Sequence, residues 1–153
     1  MLLRTKHFGE IDCDGSAVIT FEEGLPGFSD SQYVLLADNP NDMFCWLQSV
    51  EDEDLAFVLM DVKQVMPGYN PQIDTEMLES LGDGSGSVSL SELSCYNIAV
   101  VPDDLQKLRV NLKAPILINT ATRKGKQVIA SNEDYVVRHY IFEEIETHHR
   151  QVM

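Results

Sequence analysis

The sequence predicts a mainly β fold: a small closed barrel or pseudo-barrel of mostly antiparallel strands, with one or two short helices. Short runs of β-branched and aromatic residues recur along the chain, separated by Gly, Asp, Asn and Pro. Apolar and polar residues alternate from Leu108 to Lys113, a period of two that is typical of a half-buried strand. Helical patterns are confined to two short segments. Many short strands with little helix favour a sandwich or small barrel.

Six segments rich in β-forming residues are predicted as strands: Leu2 to Phe8, Ala17 to Phe21, Tyr33 to Leu36, Met43 to Val50, Leu55 to Val62 and Tyr96 to Val101. A longer strand is expected from Leu108 to Ile118, bent or broken near Pro115 because proline cannot donate to a strand ladder. The next segment, "NTATRKGKQ", predicts a turn in which Gly125 supplies the conformation, and "QVIA" returns as the second strand of a hairpin.

Two segments favour helix. Asp74 to Leu81 begins with an acid suited to an N-cap and is followed by Gly82, which is typical of a helix end. The C-terminal segment "YIFEEIETHHRQVM" places Ile141, Phe142 and Ile145 on one side of a helix. We therefore expect a short internal helix and a helical tail.

The length of 153 residues suits a single domain with one core. The longest apolar runs are far shorter than the roughly 20 residues of a membrane helix, and the N-terminus lacks the apolar core of a signal peptide. Cys13, Cys45 and Cys95 are far apart and form no CxxC pair, so neither a disulfide framework nor a zinc site is indicated. These features predict a cytoplasmic protein with no membrane association.

The chain carries 25 acidic and 11 basic residues, a formal net charge of −14, which disfavours direct binding of nucleic acid. The charge is uneven, because Leu105 to Asn132 holds six basic residues and no acid. One interpretation is a basic strand pair beside acidic strands, each relieving the other. The other is a two-faced surface for charged protein partners.

The loop "LGDGSGSVSLSE", Leu81 to Glu92, resembles a calcium-binding loop and suggests an alternative function as a small calcium-responsive binding module. Asp83 and Glu92 occupy ligand positions, and Gly86 occupies the turn. However, Leu81 stands at the first ligand position and offers no side-chain oxygen. A strand is predicted after the loop where a calcium-binding helix pair needs a helix, so we expect a polar turn.

No pattern in the sequence indicates catalysis, a cofactor or a metal, so we predict a protein that is not an enzyme. The histidines stand alone or adjoin each other in the polar tail. The acidic run "EDED", Glu51 to Asp54, lies between two predicted strands and is interpreted as a solvated hairpin turn. A hydrolase with an unrecognised acid pair is a further alternative.

With these strands assigned, four stretches together resemble one family, the FliW flagellar assembly factors of bacteria. The stretches are "ITFEEGLPGF" from Ile19, "FCWLQSVEDEDLAFVLMD" from Phe44, "NIAVVPDDLQKLRVNLKAPILINTATRKGKQVI" from Asn97 and "DYVVRHYI" from Asp134. They cover most of the chain in the expected order. The Gly- and Ser-rich loop at 82–94 and the extended tail depart from the family pattern.

The resemblance implies a single FliW-like β-barrel domain over residues 1–140, followed by a helical C-terminal tail at 141–153. It also implies two protein partners, flagellin and the carbon storage regulator CsrA. Proteins of this family bind new flagellin and, when flagellin is scarce, bind CsrA and stop it from repressing flagellin translation. We expect no direct nucleic-acid partner and a monomer when the protein is free.

Exposed acids are the predicted partner contacts, because surface charge steers association without supporting the fold. The candidate residues are Glu51, Asp52, Glu53, Asp54, Asp103 and Asp104. In "EEGLPGF", the glycines are expected to set a tight turn, with Leu25 and Phe28 packed inward. Trp46, with Phe44 and Phe57, is expected to anchor the core.

Overall fold

The structure, a computed structural model, describes residues 1–86 and 88–152. Within these residues the chain forms eleven strands: β1 Leu2–Arg4, β2 Glu10–Asp12, β3 Ile19–Thr20, β4 Gln32–Leu36, β5 Phe44–Ser49, β6 Ala56–Met60, β7 Ser94–Val100, β8 Arg109–Val110, β9 Ile116–Asn119, β10 Lys124–Gln127 and β11 His139–Tyr140. One α-helix, α1, spans Phe142–Val152. Short 3₁₀ helices span Gly15–Ala17, Val62–Gln64, Thr75–Leu81, Leu90–Glu92 and Leu105–Lys107.

Seven strands close into a barrel in the order β7-β6-β5-β4-β3-β10-β9, with β9 pairing back onto β7. The pairs are antiparallel except for β3 with β10, which run parallel. β7 closes the barrel because Ser94 to Tyr96 pair with β9, whereas Ala99 and Val100 pair with β8. β8 and β11 pair with each other and form a branch of the sheet outside the barrel, which we call the β7–β8 branch. β1 and β2 form a separate hairpin. The predicted mainly β, closed-barrel fold is confirmed.

Four predicted strands coincide with β4, β5, β6 and β7 to within two residues at each end. The two predicted near the N-terminus are only partly correct. Leu2 to Phe8 is a strand only as far as Arg4, because the chain turns at 5–9, where the amide and the hydroxyl of Thr5 both donate to the carbonyl of Gly9. Likewise, Ala17 to Phe21 keeps only β3, because Asp14 caps a 3₁₀ turn ahead of it.

The strand predicted from Leu108 to Ile118 is broken near Pro115, as expected: 111–115 is irregular and divides it into two separate strands, β8 and β9. The Asn111 carboxamide oxygen accepts a hydrogen bond from the amide of Ala114 at 2.9 Å, which turns the chain before Pro115. The Asn111 carbonyl accepts from the buried Asn97 side chain at 2.8 Å. β9 is buried at every position, so the alternation of buried and half-buried residues stops before β9.

The predicted hairpin is confirmed as β9 and β10, but its second strand is Lys124–Gln127 rather than "QVIA", and Gly125 does not form its turn. The turn is at 120–123, where Arg123 adopts a φ of 56°. Gly125 lies within β10, opposite Ile118, and a Cβ there would lie 2.7 Å from Cε1 of Phe21. The absence of a side chain therefore lets the Phe21 ring fill the barrel.

The barrel interior holds a buried cluster that includes Phe21, Tyr33, Leu47 and Leu59. A second cluster, around Met60, Tyr69, Leu108 and Ile141, fills the space between the β7–β8 branch and α1. A third lies under the Thr75–Leu81 helix. These clusters place α1 and the Leu105–Lys107 helix on the outer wall of the barrel, and the site described below lies there.

Both predicted helical segments are confirmed. The internal one is a 3₁₀ helix, and the Asp74 carboxylate caps it by accepting from the amide of Glu76. The tail forms α1, with Ile141 buried and Phe142 and Ile145 half-buried. The final residue of the predicted tail, 153, lies outside the described residues, as does position 87 of the candidate calcium loop.

The basic segment lies beside acids, as the first interpretation of the charge pattern expected. On β10, Lys124 and Lys126 point towards Glu22 and Glu23, with nitrogen to oxygen distances of 3.7 Å for both pairs. Both ammonium groups also donate to backbone carbonyls, those of Gly82 and Met77. These two lysines serve the local structure.

Candidate functional site

An apolar trough of about 510 Å³ crosses the outer wall of the barrel. Its floor is formed by β5 and β6, and its sides by the N-terminal hairpin, the Leu105–Lys107 helix and α1. The lining side chains are His7, Phe44, Trp46, Val58, Val101, Leu105, Leu108, Phe142 and Ile145. Val101 and Leu105 are 50% and 55% exposed. Contiguous exposed apolar surface of this kind marks binding sites in soluble proteins.

The N-terminal hairpin forms one side of the apolar trough through its turn. The rings of His7 and Phe8 contact the indole of Trp46, with centroid distances of 5.8 and 5.3 Å. The amide of Lys6 donates to the Gln48 side-chain oxygen at 2.9 Å. Since Trp46 and Gln48 are two residues apart on β5, both contacts fix the hairpin to the same face of the strand.

The opposite side of the trough is α1. Ile141, just before the helix, is fully buried, and Ile145 packs against the same cluster one turn later. The His139 ring nitrogen lies 2.8 Å from the Glu144 carboxylate, which ties β11 to the first turn of the helix. This attachment leaves Phe142 and Ile145 partly exposed to the trough.

The acids predicted as partner contacts form two exposed turns. Glu51 to Asp54 connect β5 to β6, which confirms the predicted hairpin turn. Two of these acids also hold local structure. Glu51 accepts from the amides of Ser31 and Gln32, both at 3.1 Å, and Asp52 accepts from the amide of Asp54 at 2.9 Å.

The second acidic turn, Asp103 and Asp104, precedes the Leu105–Lys107 helix. The Asp104 carboxylate caps this helix by accepting from the amide of Gln106 at 3.1 Å. β6 and β7 are antiparallel, with Val58 opposite Ala99, so the start of β6 and the end of β7 lie at the same end of the barrel. The fold thus brings together two acidic turns that are about 50 residues apart in sequence.

The second acidic turn adjoins the apolar trough, and the first lies at the same end of the barrel. The Gln48 amide group donates to the carbonyls of Asp52 and Glu53, both at 3.2 Å, so the first turn continues from the β5 face that carries Trp46. The second turn leads directly into Leu105, which lines the trough. The candidate site is therefore an apolar surface with an acidic rim.

The trough was not predicted from the sequence, because Trp46 and Phe44 were expected to lie in the core. Along β5, Cys45 and Leu47 point into the barrel and are buried, whereas Phe44 and Trp46 point outward and are half-buried. The alternation of Phe44 and Trp46 with Cys45 and Leu47 along the strand was the sequence pattern that could have predicted this outward face. Phe57 does pack against the barrel core, and Leu25 is buried, but Phe28 is 43% exposed and stacks edge-on against Phe57.

The candidate calcium loop is organised by its own side chains. Asp83 accepts hydrogen bonds from the amide and the hydroxyl of Ser85, which lowers the pKa of the carboxyl. The loop leads into the Leu90–Glu92 3₁₀ helix and then the predicted strand, β7. The described residues contain no group of three or more His, Cys, Asp or Glu side chains placed to hold a metal ion.

None of the helices within residues 1–86 and 88–152 combines the length and apolar character that crossing a bilayer requires.

Comparison with known proteins identifies the family. Residues 2–141 match the family model described as FliW protein. A flagellar assembly factor FliW from Thermoanaerobacter pseudethanolicus is 42% identical over 147 residues, covering 95% of each chain. One from Alkaliphilus metalliredigens is 40% identical over 148 residues, covering 95% of this chain and 89% of the relative.

A solved structure gives the same assignment. The crystal structure of a flagellar assembly factor FliW superposes with a TM-score of 0.82 at 35% identity, covering 93% of this chain and 97% of the other. The sequence and the fold agree over nearly the whole length of both chains, and the chain therefore belongs to the FliW family of flagellar assembly factors.

Proposed function

We propose that this protein assists flagellar assembly by binding proteins, without enzymatic activity. Its partners are flagellin and, when flagellin is scarce, CsrA, whose repression of flagellin translation it then relieves. It acts in the cytoplasm as a monomer when free. Family membership supports this role. The structural observation that carries it is the apolar trough with its acidic rim, which suits protein partners better than a small substrate.

The trough supports the flagellin half of this function. The family resemblance implies a client whose terminal segments are amphipathic helices that must be shielded before export. Such a helix buries an apolar face in a groove and leaves its polar face in water. A trough of about 510 Å³ with Trp46 and Leu105 among its lining residues provides that groove.

The acidic rim supports the CsrA half. A regulator that grips RNA phosphates must carry basic residues, so a protein with a net charge of −14 attracts it at long range. Glu51 to Asp54 and Asp103 with Asp104 project at one end of the barrel, where their fields add. This attraction steers association and is screened by salt over about 8–10 Å.

Affinity capture with purified components tests the function. The tagged protein is mixed with flagellin or CsrA from the bacterium that encodes it, and each complex is measured by size-exclusion chromatography. We expect a complex with each partner. We also expect the protein to release CsrA from a flagellin leader RNA in a gel shift, without shifting that RNA itself. If the protein forms no complex with flagellin, or none with CsrA, the corresponding half of the proposed function is contradicted.

A further inference from the structure

We infer that the apolar trough binds a partner's amphipathic helix whose apolar stripe is flanked by Lys or Arg, and that α1 is the wall that selects this charge. The inference rests on the proposed function for the identity of the protein that carries this helix, which is flagellin. The shape and chemistry of the helix follow from the trough and its surroundings.

The apolar stripe of the partner follows from the lining of the trough. Eight of the nine lining side chains are apolar, and the ninth, His7, packs against Trp46. A helix about 10–12 Å wide presents its apolar residues at i, i+3, i+4 and i+7, a stripe that fits between two walls. Here the walls are the Leu105–Lys107 helix with α1 on one side and the N-terminal hairpin on the other.

The basic flank follows from a second cavity that adjoins the trough. We call it the acidic depression; its volume is about 500 Å³, and it is lined by Gln106, Tyr140, Phe142, Glu143 and Glu146. Phe142 belongs to both cavities, and Gln106 follows Leu105 of the trough. A helix in the trough therefore extends one flank over two exposed carboxylates.

These carboxylates are accessible to a partner. Glu143 is exposed, and Glu146 pairs with Arg150 at 3.8 Å, where both side chains are exposed. Exposed pairs of this kind contribute little to stability and exchange easily. A partner Lys or Arg can lay its aliphatic stem along Phe142 and place its charge beside the glutamates.

α1 begins at Phe142, directly after the residues that the family model matches, 2–141. The trough floor lies within the matched residues, whereas this wall and its two glutamates follow them. A second copy of the same chain is a poor occupant, because the net charge of −14 brings acid against acid. A partner helix with basic residues matches both the apolar and the charged parts.

The test uses two synthetic amphipathic peptides of about five helical turns. Both carry Leu at i, i+3, i+4 and i+7, and they differ only in having Lys or Glu along one flank. Titration is followed by the emission of Trp46, the only tryptophan in the chain. We expect the Lys peptide to saturate the protein with a shifted emission, and the Glu peptide to bind at least about 10-fold more weakly, since two charge contacts change sign.

Two variants with matched charge locate the effect. The double variant Glu143→Lys, Glu146→Lys should bind the Lys peptide about 5- to 10-fold more weakly. The control Glu133→Lys, Asp134→Lys makes the same change in charge on exposed residues outside both cavities. It should change the affinity for the Lys peptide less than twofold. Leu105→Glu, at a position already 55% exposed, should abolish binding without unfolding the protein. Circular dichroism confirms that each variant keeps its helix.

The outcomes that overturn the inference are distinct. If both charge variants lose the same affinity for the Lys peptide, the peptide responds to the overall charge of the protein and not to Glu143 and Glu146. If Leu105→Glu binds the peptide as well as the parent does, the trough is not the binding site. A dimer that Leu105→Glu disrupts shows that a second copy occupies the trough. If the parent and all variants capture flagellin equally, this inference fails while the proposed function stands. If the Lys peptide binds as expected but flagellin does not, the proposed function fails.

Discussion

The imidazole of His7 lies over the indole of Trp46, with the ring centroids 5.8 Å apart and the planes tilted by 43°. Phe8 approaches the same indole edge-on at 5.3 Å. The turn of the N-terminal hairpin thereby covers one edge of the outward face of β5. The side of the trough nearest the N-terminus depends on this aromatic cluster.

Replacing Phe8 by Ala should lower the free energy of unfolding by about 1–2 kcal/mol, because a half-buried ring loses an aromatic pair and part of its buried area. Trp46 emission should shift to longer wavelength in the folded protein as water reaches the indole. Urea unfolding followed at 222 nm and native-state fluorescence measure the two effects. A variant with parental stability and emission contradicts the role assigned to the hairpin.

Gly125→Ala should destabilise the barrel by about 1–3 kcal/mol, because the added methyl group overlaps the Phe21 ring. Gly68→Ala is the matched control, since nothing lies within 4 Å of a Cβ there. Thermal and urea unfolding of both variants give the comparison. Equal stability in the two variants contradicts the packing of Phe21 against β10.

Burial raises the pKa of the Cys45 thiol to about 12, with a smaller contribution from Asp61. An unfolded thiol titrates near about 8.5, so at alkaline pH the unfolded chain loses its proton first. Stability is therefore lost as pH rises from about 8.5 towards 12, by about 2 kcal/mol at pH 10 from Cys45 alone. Urea unfolding at pH 7 and pH 10 measures the loss of unfolding free energy between the two pH values. In Cys45→Ala this loss should be smaller by about 2 kcal/mol.

Reversing Glu53 and Asp54 to Lys should slow association with CsrA and reduce its dependence on salt, because the attractive field weakens. These two acids are preferable to Glu51 and Asp52, whose carboxylates hold backbone amides. Stopped-flow association rates across a salt series provide the measurement, and the melting temperature should stay near that of the parent. Parental rates and salt slope would show that the turn only keeps the protein soluble.

Local patterns predicted most of the barrel because its central strands are bounded by turns that the sequence marks clearly. β4 to β7 are followed or preceded by Asp, Asn or Pro, and their apolar runs match the described strands closely. The errors arose where side chains bond the backbone locally. Asn111 turns the chain inside an alternating pattern, and Thr5 turns it after only three strand residues.

The candidate site was predictable only in part. Exposed acids can be recognised from composition and turn position, but their convergence requires the register of β6 and β7. The trough requires the closure of the barrel, which decides that Trp46 points outward while Leu47 points inward. It also requires the docking of α1 through Ile141, a long-range contact without a local signature.

The emission of Trp46 during titration with flagellin shows whether flagellin occupies the trough. Trp46 is the only tryptophan in this chain and lies in the trough, so a bound helix must change its surroundings. We predict a saturable shift to shorter wavelength with full-length flagellin, and no shift with flagellin that lacks its terminal helices. Flagellin binding that leaves Trp46 emission unchanged would contradict the assignment of the trough as the binding site.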